Sequence, residues 1–121
     1  MRAGELRAED RRAFFAYASQ VMRSVIVNSA RIARKRGGDR SPLTLSNGLG
    51  AELPDPEETV LGVHEVLEAL EQADPRLAQV AQMRYFGGDS EQEIAETLEI
   101  TARTVQRDWE KARLILAAAL R

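Results

Sequence analysis

The residues best suited to chemistry lie close together near the C-terminus: Thr101, Ala102, Arg103, Thr104, Gln106, Arg107 and Lys111. Spacings of three and four among Arg103, Gln106, Arg107 and Lys111 put them on one side of a helix. Arginine can make paired hydrogen bonds to guanine and glutamine to adenine, while hydroxyls and a helix N-terminus can hold phosphate. The chemistry these types suggest is the reading of a DNA groove. A solvated face of a small helical bundle uses similar residues, so the reading depends on the elements behind them.

Catalysis finds no comparable set. Glu91, Glu93 and Glu96 stand near an expected helix N-terminus, where acids stabilise the helix dipole without any catalytic role. His64 is the only histidine. Between Val63 and Leu67, with no partner set in the sequence, it reads as a packed or half-exposed residue rather than a ligand. The chain has no cysteine, so neither a disulfide framework nor a Cys/His zinc site can be built. No catalytic residue, metal ligand or cofactor is expected, and the chain does not read as an enzyme.

The elements that must position the candidate residues are all helical. Glu91 to Leu98 and Ala102 to about Ala119 form a pair of helices, with Ser90 and Glu93 spaced as a capping box and Thr101 as a second N-cap. Ile94, Ala95, Leu98, Ile100, Val105 and Trp109 fall where two crossed helices share a small core, and Val105, Trp109, Ala112 and Leu116 continue one apolar stripe. This is the spacing of a helix-turn-helix. Glu99 sits where such turns generally place glycine to reach positive φ, at a cost of about 1 kcal/mol. Upstream, helical signals resume after Pro56, and Val60, Leu61, Val63, His64, Leu67 and Leu70 form the apolar side of a helix to about Gln72. Asp74-Pro75 then starts another, running to Phe86 and ended by Gly87-Gly88.

At the N-terminus, Phe14, Ala18, Val21, Met22, Val25, Ile26 and Ser29 recur at helical spacing. They predict one long amphipathic helix or two short ones from Ala8 to Arg36. Gly37 and Gly38 stop it, and Arg34, Lys35 and Arg36 suit the negative end of its dipole. Glycines and prolines between Ser41 and Pro56 are too closely spaced for a helix or a strand. The expected architecture is all-α: an N-terminal helical segment (1–38), a linker (39–56) and a C-terminal four-helix module (57–121) containing the helix-turn-helix.

The net charge of −2 over 121 residues conceals segregation. Residues 1–40 hold ten Lys/Arg against four Asp/Glu, residues 41–75 hold eight acids and no Lys or Arg, and the remainder balances at seven of each. A basic arm beside an acidic middle suggests nucleic acid at one end and protein or intramolecular contacts in the middle. Arg34, Lys35 and Arg36 are further candidates for phosphate contact. No apolar run approaches the roughly 20 residues of a membrane span and no signal pattern opens the chain, so a cytoplasmic protein without membrane contact is expected.

Three segments carry a more specific likeness. They begin Leu67-Glu-Ala-Leu-Glu-Gln-Ala-Asp-Pro, Val80-Ala-Gln-Met-Arg-Tyr-Phe-Gly-Gly and Thr101-Ala-Arg-Thr-Val-Gln-Arg-Asp-Trp. Together, from about Glu57 to Arg121, they resemble the fourth conserved region of sigma factors of the extracytoplasmic-function (ECF) type. Arg12 to Arg31, leading into Arg34-Lys-Arg-Gly-Gly, is similar to the end of that family's second region. The resemblance implies that the last helix binds the minus-thirty-five promoter element and that other faces touch the β-flap of RNA polymerase, with an anti-sigma factor as a further partner. It also implies that helices preceding this part of the second region are missing, so the protein is expected to be shortened.

The alternatives are a helix-turn-helix regulator that does not join polymerase, and a sigma-like decoy that occupies a partner without DNA. The apolar side bearing Phe14, Phe15, Met22 and Ile26 needs a covering surface. A homodimer through residues 12–30 would supply one, and folding back onto the C-terminal module, basic arm against acidic middle, would supply another.

Overall fold

A computed structural model describes residues 8–36 and 55–120. Among these residues there are five helices: α1 (Ala8–Lys35), α2 (Pro56–Ala73), α3 (Pro75–Tyr85), α4 (Glu91–Leu98) and α5 (Ala102–Ala119). The architecture is all-α, as expected. Gly37-Gly38 and the expected linker up to Pro54 lie outside the described residues.

Each helix of the C-terminal part begins on a side chain placed by the sequence for that purpose. Asp55 accepts from the backbone N–H of Glu57 at 3.1 Å with Pro56 at the first helical position, and Asp74 accepts from Leu77 at 3.2 Å with Pro75 beside it. Proline there loses only an N–H that would have been unpaired anyway. Ser90 and Glu93 form the reciprocal capping box, at 3.1 and 2.8 Å. Thr101 caps α5 by accepting from Thr104 N–H at 3.1 Å.

The main core gathers Leu61, Val63 and Leu67 of α2, Leu77 and Ala81 of α3, and Ala112 and Leu116 of α5, and it also takes Val27 and Ala30 of α1. A second cluster of Val80, Met83, Ile94, Ala95 and Val105 sits under the α4–α5 pair. Trp109 is half-buried and packs against both clusters, so the fully enclosed tryptophan that its place in the stripe suggests is only partly realised.

α1 is a single continuous helix laid across α2, α3 and α4. Of the two surfaces open to its apolar residues, folding back onto the C-terminal helices is the one seen. The inward face differs from the expected one. Ser19, Arg23, Val27 and Ala30, at steps of four, four and three, are buried. Phe14, Tyr17, Val21, Met22 and Val25 are exposed. Of the side expected to need cover, Phe15 and Ile26 pack inward while Phe14 and Met22 do not.

The reason lies in polar groups that a hydrophobicity pattern counts against burial. Arg23 is 6% exposed. Its Nε donates to His64 Nδ1 (3.0 Å), Nη1 to Glu71 Oε2 (2.6 Å) and Gln82 Oε1 (2.8 Å), and Nη2 to the His64 carbonyl (3.3 Å). Gln82 in turn donates to Ser19 Oγ at 3.2 Å, and Ser19 donates to the Ala16 carbonyl. A buried guanidinium is tolerated when its fork of donors is satisfied in this way. Close approach completes the fit: a Cβ on Gly87 would lie 2.8 Å from the Met83 carbonyl oxygen and 3.0 Å from Ser19 Cβ.

Candidate nucleic-acid interface

The α4–α5 pair is joined by a turn of three residues, Glu99 to Thr101, and its geometry follows from one backbone position. Glu99 adopts φ 58°, ψ 45°, the left-handed conformation expected at this point of the turn. It is the only non-glycine with positive φ among the described residues. Its N–H closes α4 onto the Ala95 carbonyl, and Ile100 N–H reaches the same carbonyl at 3.0 Å. Ile100 then packs down on the second cluster, so α5 leaves across α4 with its first turn outward.

The sequence-predicted residues stand as follows. Arg103, Gln106, Arg107 and Lys111 are exposed, and none of the three cations forms an ion pair among the described residues. Thr101 is exposed, and its hydroxyl lies 2.9 Å from that of Thr104 as well as capping the helix. Ala102 turns partly inward onto the second cluster. The structure thus brings six polar or cationic side chains to one side of α5 between Thr101 and Lys111, beside the helix's open N–H groups.

Arg34, Lys35 and Arg36 are exposed but belong elsewhere. The C-terminal part of α1 runs beside Leu61, His64, Glu65 and Glu68 of α2. Its N-terminal part meets α4, where Arg12 pairs with Glu99 at 3.5 Å. α1 makes no packing contact with α5, so these three cations are not joined to the α5 surface.

Two features of the interface escaped the sequence reading. Asp108 is buried at 8% exposure and receives Arg76 Nε at 2.8 Å and Nη2 at 3.3 Å, a two-point clamp from the start of α3 to the middle of α5. A signal for it existed, because Asp108 lies three after Val105 and four before Ala112, on the inward stripe, where a charge needs a partner. Arg84 is the second: its guanidinium carbon sits 5.9 Å from the centroid of the Trp109 ring, and Nη1 donates to the Asp89 carbonyl at 3.2 Å. It ties the α3–α4 turn to α5.

His64, where α1 packs on α2, and Asp89, in the α3–α4 turn, are displaced from their ordinary values. Burial, then the neighbouring Arg23, hold the His64 imidazole below its usual range, with Glu68 and Glu71 opposing and Arg31 adding to the depression. The neutral ring agrees with the geometry, since Nδ1 accepts from Arg23. Burial, reinforced by Glu93, raises the carboxyl of Asp89.

A family model described as ECF sigma factor matches residues 4–121. The chain belongs to the ECF sigma factor family. The match takes in α1 as well as the α4–α5 pair, so the basic N-terminal helix is part of the family pattern. No curated protein and no solved structure matches the chain. Members of the family are sigma-type transcription initiation factors, which work with promoter DNA and RNA polymerase and are not an enzyme class. Among the described residues of this ECF sigma factor, no helix is long and apolar enough to cross a membrane.

Proposed function

We infer that this chain reads a minus-thirty-five promoter element with the N-terminal half of α5, Arg103, Gln106 and Arg107 facing base edges and Thr101, Thr104 and Lys111 holding phosphates. The observation that carries the reading is the exposed, unpaired cationic face of α5, aimed outward by the left-handed turn at Glu99. RNA polymerase docks away from the DNA, towards the C-terminal half of α5. An apolar groove of about 840 Å3 there is lined by Val63, Trp109, Leu116 and Leu120, with Leu114 72% exposed at its edge. Such a groove suits a helix from the β-flap.

Binding to a panel of duplexes at several salt concentrations tests the first half. Arg103→Ala and Arg107→Ala should each cost about 1–3 kcal/mol on a preferred sequence, and Lys111→Ala should weaken all sequences alike and flatten the salt slope by about 1. Unchanged affinity in both arginine variants overturns α5 as the reader. Co-purification with core polymerase tests the second half, where Leu114→Glu should abolish association and leave DNA binding intact. Sequence-specific DNA binding with no polymerase association in the wild type would make the protein a regulator outside the initiation complex. Polymerase or anti-sigma association with no DNA binding at any salt would make it a decoy.

A further inference from the structure

The outward face of α1 carries a pattern that its docking does not use. Phe14, Ala18, Val21, Val25, Asn28 and Ile32 follow one another at steps of four, three, four, three and four. This is a heptad seam, and it lies on the back of the helix from the buried line of Ser19, Arg23, Val27 and Ala30. Phe14 is 64% exposed, Val25 56% and Ile32 46%. With Tyr17, Val21 and Met22, also exposed, the apolar area comes to roughly 500–600 Å2, given about 150–250 Å2 for each aromatic side chain. That is at the upper end of the largest patch on an ordinary monomer.

The seam is complementary to itself about one point. Set antiparallel to a second α1 with the two-fold axis at residue 23, Phe14 meets Ile32, Ala18 meets Asn28 and Val21 meets Val25, and the axis generates each pair twice. Each layer opposes a large residue to a smaller one or a polar residue to a small one. Asn28 opposite Ala18 is the type of seam polar group that selects one register over its neighbours. In a parallel pairing, Asn28 would face Asn28 and the bulk of Phe14 would face itself. The seam ends at Arg11 and Lys35, both exposed, which would face each other across the antiparallel pair and confine it to about three heptads.

We propose that α1 is a dimerisation helix, pairing antiparallel with α1 of a second copy of this chain through Phe14, Ala18, Val21, Val25, Asn28 and Ile32. Two patches of the size given above, with the side-chain stems beside them, reach the lower edge of the roughly 1,200–2,000 Å2 that specific interfaces bury. The dimer is therefore a dissociable one. The cations at each end make it tighter, not weaker, as salt rises, the reverse of DNA binding. The proposal is independent of what α5 reads.

Sedimentation of the full chain across concentrations should show a reversible monomer–dimer equilibrium. Val25→Glu, at a position already exposed in the protomer, should weaken dimerisation more than tenfold with unchanged helix content. The absence of native cysteine gives a clean test of register. Met22→Cys, beside the axis, should be joined to its mate by a short bismaleimide. Phe14→Cys should not be, because the two copies lie roughly 27 Å apart at 1.5 Å per residue. The double variant Phe14→Cys with Ile32→Cys should cross-link again. A monomer at every concentration, a dimer indifferent to Val25→Glu, or efficient cross-linking of Phe14→Cys alone each overturns the proposal.

Discussion

Replacing Arg23 by methionine keeps most of the stem that packs between α1 and α2 and removes every donor, so the loss can be worked out acceptor by acceptor. Gln82 is 6% exposed, and its Oε1 is left without its Arg23 donor at a cost of about 1–3 kcal/mol. His64 loses a donor at Nδ1 and another at its carbonyl. A cleft of about 840 Å3 opens beside them, so water replaces part of that loss and about 1 kcal/mol remains. The Glu71 side chain is 45% exposed and returns to water for at most about 1 kcal/mol. Relief from burying the guanidinium offsets some of this. The expected net destabilisation is about 2–3 kcal/mol, below the 3–5 of a fully enclosed charge pair broken on one side. Urea denaturation followed by helicity and by Trp109 fluorescence measures it. Gln82→Met added to Arg23→Met removes the orphaned amide as well, so the double variant should be at least about 0.5–1 kcal/mol more stable than the sum of the singles. A single-variant loss under about 0.5 kcal/mol, or strict additivity, would refute the claim that this network holds α1 in place.

Two further outcomes follow from the displaced titrations. Because the folded-state pKa of His64 lies below its usual value, the unfolded chain takes up the proton first. Stability should thus be complete above about pH 6.5 and decline as pH falls from there through the folded-state value, by at most about 1.4 kcal/mol per unit, with His64→Gln flattening that window in denaturation curves. Asp89 has the opposite sign: its raised pKa means the folded state holds the proton longer, so stability falls as pH rises from the ordinary carboxylate range through the folded-state value. Its Oδ2 is buried without a partner, and Asp89→Asn should raise the unfolding free energy at neutral pH by about 1 kcal/mol; an unchanged or lowered value would show the carboxylate to be solvated.

Local chemistry explains what the sequence made legible. Asp74-Pro75, Ser90 with Glu93, and Thr101 each act within three residues of themselves, and all three helix starts stand where these groups put them; the Asp55 cap works in the same way, although the sequence pattern placed that start only after Pro56. The left-handed turn at Glu99 was legible because it stands where such turns generally place glycine. The cationic face of α5 could be assigned because Val105, Ala112 and Leu116 point the other way. The orientation of α1 was not legible, since its determinants are long-range. Arg23 is 41 residues from His64, 48 from Glu71 and 59 from Gln82, and no window of the sequence contains them together. Periodicity therefore picked the more apolar face of α1, which is the outward one, and missed Ser19 and Arg23. The inward place of Asp108 signalled that it needs a partner, but that the partner is Arg76, 32 residues away, was hidden in the same way.

The inversion of α1, with its cation inside and much of its apolar surface outside, follows from what each kind of contact can specify. An apolar face laid on an apolar groove loses little when it slides by a turn, about 5.4 Å, because one aliphatic contact replaces another. Arg23 allows no such slip. A shift of four residues either way would present Ser19 or Val27 to His64, Glu71 and Gln82, leaving buried acceptors empty and driving the guanidinium against carbon. Gly87 adds a steric stop, since Ser19 Cβ already lies 3.0 Å from where a Cβ on that glycine would be. The polar network adds little net free energy for a group so costly to bury, but it leaves α1 a single seating on α2, α3 and α4. The apolar residues released by that arrangement are the ones whose heptad spacing is free to match a second helix, and their order about residue 23 makes a second α1 the helix they fit.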